Sequence, residues 1–97
     1  MIMITQTQSN KIIEILKPYN PKKIGVFGSF ARGENLEGSD LDILYEFAEP
    51  ISLFKKFEIQ EALEENLKTS VDLVSEKYLH PLLREEIYRD LKIIYEN

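Results

Sequence analysis

Apolar residues Ile12, Ile13, Leu16 and Tyr19 recur at helical spacing, which predicts a helix over residues 5–19 with Thr7 or Ser9 as its cap. Pro18, Asn20 and Pro21 end it. The rhythm then shortens. Ile24-Gly25-Val26-Phe27 reads as a strand, and Gly28-Ser29 breaks it and starts a helical turn through Phe30 to Arg32. Residues 33–38 form a polar loop with two glycines. From Asp40 to Phe47 the pattern alternates Asp, Leu, Asp, Ile before turning continuously apolar, as in a strand that opens onto a cleft and ends buried. Ser52 caps a long helix to Leu67, with Leu53, Phe54, Phe57, Leu63 and Leu67 expected inside. Residues 69–75 form a third strand, Pro81 opens a helix with Leu83, Ile87 and Leu91 inward, and Ile93-Ile94-Tyr95 is a terminal edge strand. The order α-β-α-β-α-β-α-β predicts an α/β (α+β) domain, a mixed sheet of about four strands with helices packed against it.

Composition narrows the function without naming it. The 97 residues suit a single domain, residues 1–97, that buries roughly 60–70% of its unfolded surface. The absence of cysteine excludes disulfides, a thiolate zinc site and a thiol nucleophile. A net charge of −5 argues against direct nucleic-acid binding or an anionic membrane surface, since phosphate backbones are held by clustered Lys and Arg. No apolar run approaches the ~20 residues of a membrane span, and the N-terminus lacks the marks of a signal peptide. A cytoplasmic location is the expectation.

Three features carry chemistry. A Gly28-Ser29 turn after a strand lets backbone N–H groups approach a phosphate, with the Ser hydroxyl as a further donor; such a turn alone is ordinary. Asp40 and Asp42, two apart on a strand, point the same way. Two such charges at about 4 Å repel by roughly 4 kcal/mol at an effective dielectric near 20, and a magnesium ion would offset that. A solvated strand end is the plainer alternative. Asp72 stands alone between Val71 and Leu73-Val74, where a buried carboxylate is costly unless paired or metal-bound. It completes a cluster if its strand lies beside that of Asp42; otherwise it pairs with Arg32 or Lys77. Arg32 either steadies a triphosphate or pairs with Glu34 or Asp40, the structural role being favoured. Lys22 and Lys23 read as solvated, His80 as helix-start packing, and the aromatic residues as core. A phosphate cradle beside a metal cluster is what nucleotidyl transfer needs.

Gly28-Ser29, ten residues, Asp40-Leu41-Asp42, with Asp72 downstream, resembles the nucleotidyltransferase superfamily signature. The fuller Gly28-Ser29-Phe30-Ala31-Arg32-Gly33 and Ser39-Asp40-Leu41-Asp42-Ile43-Leu44 is similar to the minimal nucleotidyltransferase (MNT) subgroup, over essentially the whole chain. The resemblance implies a polymerase-β-like fold, Mg2+ held by Asp40 and Asp42, and Asp72 as ligand or base. It also implies an ATP triphosphate held at Gly28 and Ser29. Members of this subgroup serve as antitoxins to HEPN ribonuclease toxins, moving AMP from ATP onto a toxin tyrosine. An assembly with a HEPN toxin, a hetero-oligomer, is therefore expected. The short length leads to the same expectation of an acceptor that brings its own recognition surface. The alternatives are an antitoxin that masks its toxin by contact alone, and transfer to a small molecule with an accessory subunit.

Overall fold

A computed structural model describes residues 5–34 and 39–97. The predicted loop over residues 33–38 therefore falls mostly outside the described residues. Helix α1 spans Gln6–Leu16, followed by a 3-10 turn over Lys17–Tyr19. Its cap is Thr5, upstream of both expected positions. The Thr5 hydroxyl accepts from the Gln8 N–H while the Gln8 side chain accepts from the Thr5 N–H, so each satisfies an orphan donor of the first turn. Strand β1 is Pro21–Phe27, three residues longer at its start than the apolar pattern indicates, because Pro21 and Lys23 still pair with the next strand. Helix α2 covers Gly28–Arg32, β2 Leu41–Phe47, α3 Leu53–Leu67, β3 Val71–Ser75, α4 Pro81–Asp90 and β4 Lys92–Glu96.

The four strands form one mixed sheet in the order β3-β2-β1-β4. Strand β1 pairs antiparallel with β2 and with β4, and β2 pairs parallel with β3. The expected edge position of β4 is thus observed, and β3 is the other edge.

The two faces differ. Ile24 and Val26, Leu41, Ile43 and Tyr45, Val71 and Leu73 meet Ile12 and Leu16 of α1 and Ile59, Leu63 and Leu67 of α3 in the main core. On the opposite face a smaller cluster of Phe27, Leu44, Leu79 and Ile87, flanked by Val74 and Leu91, seats α4.

The inner face of α3 is narrower than the sequence suggests. Ile59, Leu63 and Leu67 form a single i, i+4, i+8 stripe. At about 100° per residue, Phe54 falls opposite that stripe and Phe57 well off it, and Leu53, Phe54 and Phe57 are all exposed, Phe54 by 83%. Leu83 is likewise exposed at the overhanging start of α4. Tyr78 and Tyr88 are exposed as well, so the aromatic residues are not uniformly core. Among the described residues, no helix is long and apolar enough to cross a membrane.

Candidate active site

Strand pleating decides which side chains share the open end of the second face. Phe27 is the register partner of Asp42, and Asp42 that of Asp72, so the three form a row across β1, β2 and β3. The parallel pairing of β2 with β3 sets the two carboxylates side by side. Asp40 lies just before β2, not within it, and is exposed. Asp72 is exposed too. The argument from a buried carboxylate therefore fails for Asp72. It sits on an edge strand and on the face that α4 leaves open, where water reaches it at little cost. Asp42 is the half-buried member.

The turn before the carboxylates is built around one glycine. Gly28 has φ of 75°, a left-handed conformation that L side chains rarely adopt. A Cβ added there would overlap Asp42 Oδ2 and lie 3.2 Å from its Cγ. Bare backbone thus rests against the carboxylate, and only glycine satisfies both the dihedral and the space. Ser29 follows, half-buried, and its carbonyl accepts from the Glu34 N–H at 2.9 Å. Gly33, φ 72°, closes α2.

Electrostatics sets Asp42 apart. Burial, then the negative charges of Asp72 and Asp40, push its carboxyl up to about 6, against a pull downward from Arg32. Among the described residues, Asp40, Asp42 and Asp72 form no ion pair. Arg32 makes two ion pairs: Nη1 donates to Asp90 Oδ2 at 2.7 Å and Nε to Glu34 Oε2 at 3.4 Å. Glu34 was an expected partner; Asp90, 58 residues away on α4, was not.

Do these residues suit a magnesium ion? Their donors are hard carboxylate oxygens, and their mutual repulsion has no counter-ion nearby apart from the pull of Arg32. Among the described residues no group of three or more acidic or His side chains is gathered closely enough to hold a metal by itself. Magnesium does not require one, since it commonly takes one or two carboxylates and completes its shell with water and substrate phosphates. The set fits a cation that arrives with a nucleotide.

A concavity opens at the other end of the sheet. It is a groove of about 570 Å³ near Glu46, Glu76, Tyr78, Arg84 and Tyr88. Its central acid, Glu76, is paired. Lys23 Nζ donates to both Glu76 oxygens at 3.1 Å, and the Tyr88 hydroxyl donates to Glu76 at 3.0 Å. Lys23 is therefore not the solvated lysine that its place in the sequence suggests. His80 caps α4, its Nδ1 accepting from the Leu82 N–H. A groove whose central acid is already paired is a weaker candidate than an end whose acids form no ion pair among the described residues.

The polymerase beta nucleotidyltransferase family model matches residues 10–97. The chain belongs to this family. It is a nucleotidyltransferase, and therefore a transferase enzyme. The protein adenylyltransferase MntA of Thermococcus cleftensis is 38% identical over 96 residues, covering 94% of this chain and 97% of that one. The MntA of Shewanella oneidensis is 31% identical over 84 residues, 84% of this chain and 60% of that one. Among solved structures, a chain of a toxin–antitoxin crystal structure with AMP-PNP superposes with a TM-score of 0.83 at 26% identity. That match covers 92% of this chain and 73% of the other.

Proposed function

We propose that this nucleotidyltransferase moves AMP from ATP to a tyrosine of a partner HEPN ribonuclease toxin and so acts as its antitoxin. The observation that carries the reading is the register pairing of Asp42 with Asp72 against the glycine backbone of Gly28. The names of the two adenylyltransferase relatives and the toxin–antitoxin match support the acceptor class.

In this reading Gly28 and Ser29 hold the triphosphate, and Asp40 and Asp42 hold Mg2+, with Asp72 as further ligand or base. When bound, the cation would neutralise charge on the triphosphate and on the departing pyrophosphate. The acceptor tyrosine oxygen attacks the α-phosphorus while the bond to the β-phosphate oxygen breaks and pyrophosphate leaves. Where Asp72 serves as the base, it takes the phenolic proton; its exposure and its place beside Asp42 support that role. Gly28 keeps the approach open, since any side chain there would occupy the space against Asp42.

The test is to incubate the chain with its partner toxin, ATP and Mg2+ and weigh the toxin. Gain of one or more AMP is the expected result; no gain would remove the transfer reading. A masking antitoxin that works by contact alone has support in exposed Leu53, Phe54, Phe57, Tyr78 and Leu82. A variant with Asp40→Ala and Asp42→Ala separates the two. Full neutralisation by that variant at equal dose would favour masking.

A further inference from the structure

We propose that Asp90 is a positioning residue that acts through Arg32, holding the guanidinium beside the Gly28-Ser29 turn for the outer phosphates of the nucleotide. The proposal rests on the nucleotidyl-transfer reading above. Asp90 is the last residue of α4, where the negative end of the helix dipole disfavours an anion. Something must offset that, and Arg32 Nη1 at 2.7 Å from Asp90 Oδ2 is a short, charge-assisted bond. The Asp90 side chain is only 18% exposed, whereas Arg32 is 42% exposed and Glu34 62%. Asp90 is thus the stiff end of the contact and Arg32 the free-standing one.

Arg32 ends the five-residue α2 that begins at Gly28, so its stem starts one helical turn from the turn that faces Asp42. Its positive charge reaches the Asp42 carboxylate. An exposed arginine left to itself samples many rotamers, and ordering it on ligand binding costs entropy. Asp90 removes that freedom beforehand. Among the described residues, the two ion pairs of Arg32 use Nε and Nη1. A guanidinium carries five N–H donors in a fork that matches phosphate as well as carboxylate. It can keep its bond to Asp90 and donate to a polyphosphate at once.

The test is calorimetric titration of the intact chain with Mg2+ and ATP, and separately with AMP, alongside thermal melting. Asp90→Asn should weaken ATP about tenfold and leave AMP within about twofold, because only the longer chain of phosphates reaches Arg32. Asp90→Glu should recover most of the loss. Arg32→Gln should reproduce the ATP loss, and adding Asp90→Asn to it should change nothing further. Should Asp90→Asn fold poorly, Asp90→Glu and Arg32→Gln carry the same comparison. Unchanged ATP affinity in Asp90→Asn, or equal losses of ATP and AMP alongside a lower melting temperature, would overturn the proposal and leave a plain clamp between α2 and α4. A native chain that binds no ATP would remove the nucleotidyl-transfer reading itself, and this proposal with it.

Discussion

Strands β2 and β3 carry acidic residues at both ends of one sheet face. Asp42 and Asp72 are register partners at the start of the two strands; four residues on, Glu46 stands one residue before the end of β2 on the same face and Glu76 follows the end of β3. The far end receives a lysine from β1, since Lys23 is the register partner of Glu46 and bonds Glu76 through both oxygens. The near end receives Phe27 from the same strand. The consequences have opposite signs. Burial pushes the Glu76 carboxyl up, but the hydrogen bonds it accepts from Lys23 and Tyr88 outweigh it and hold the group below its ordinary value. At Asp42 burial and the two neighbouring carboxylates act together and carry it up to about 6. The fold gives one acid pair a counter-ion and gives the other no ion pair among the described residues.

The largest expected effect follows from removing the uncompensated charge. Asp42→Asn should lower AMP transfer by about 1,000-fold or more, the scale at which loss of transition-state charge stabilisation is felt. The same change should stabilise the apo chain at pH 7 by about 1–2 kcal/mol, since a partly solvated carboxylate with a raised pKa opposes folding. Thermal melting with and without Mg2+ and ATP checks both halves. The native chain should gain stability from Mg2+ and ATP and lose that gain on chelation, and the variant should show little of either. An Asp42→Asn chain that melts lower than the native one would break the comparison at its root.

Gly28→Ala should come next, destabilising by about 1–3 kcal/mol because it combines a left-handed backbone with a clash on Asp42. Asp42→Asn would not relieve the clash, as asparagine fills the same space. Asp42→Ala should relieve part of it, and a double-mutant cycle by denaturant titration measures the coupling.

At the far end, Lys23→Met should cost about 1–2 kcal/mol by leaving two neighbouring carboxylates without their cation. It would make that end resemble the near one. The Glu76 carboxyl should then move from below its ordinary value to above it, which NMR titration of the side-chain carboxyl would follow. If Glu76 keeps its depressed value without Lys23, Tyr88 is the stronger partner and the contrast needs another cause.

What the sequence made legible follows from the range of each interaction. Asp40, Asp42 and Gly28-Ser29 lie within fifteen residues, so their neighbourhood could be anticipated, but the pleating rule that would turn Asp40 and Asp42 the same way holds only inside a strand, and Asp40 stands before β2. Asp72 was reachable because its strand is short and apolar on either side, though its exposure was not, since that depends on which strand ends the sheet. Asp90 and Glu76 were out of reach. Each looks like one more acid on a solvated helix or turn; the packing of α4 on the second face brings Asp90 to Arg32 and Tyr88 to Glu76, and the strand order brings Lys23 to Glu76. In α3 the apolar pattern points to Leu53, Phe54 and Phe57, whereas the buried stripe is Ile59, Leu63 and Leu67. A window rich in apolar residues hides which single stripe the sheet selects.

The smallest effect is the pH profile, and it separates the two ends without a change of fold. For Asp42 the folded value, about 6, lies above the ordinary 3.8, so the native state holds the proton more tightly than the unfolded chain. Stability from this group is greatest below pH 3.8, falls as pH rises through 6, and is level above that. For Glu76 the folded value lies below the ordinary 4.5, so its contribution is present above pH 4.5 and is lost as pH falls through the depressed value. Between about pH 4.5 and 6, then, the near end titrates and the far end is silent. The advantage of Asp42→Asn over the native chain should shrink from about 1–2 kcal/mol at pH 7 toward zero near pH 4. A Glu76→Gln chain should keep the native slope across that same interval and lose the native fall in stability below it. Denaturant titrations at pH 4, 5, 6 and 7 would read this directly. An Asp42→Asn advantage that did not change across those values would mean that Asp42 is ionised throughout, already supplied with a positive neighbour, and the near end would then be no different from the far one.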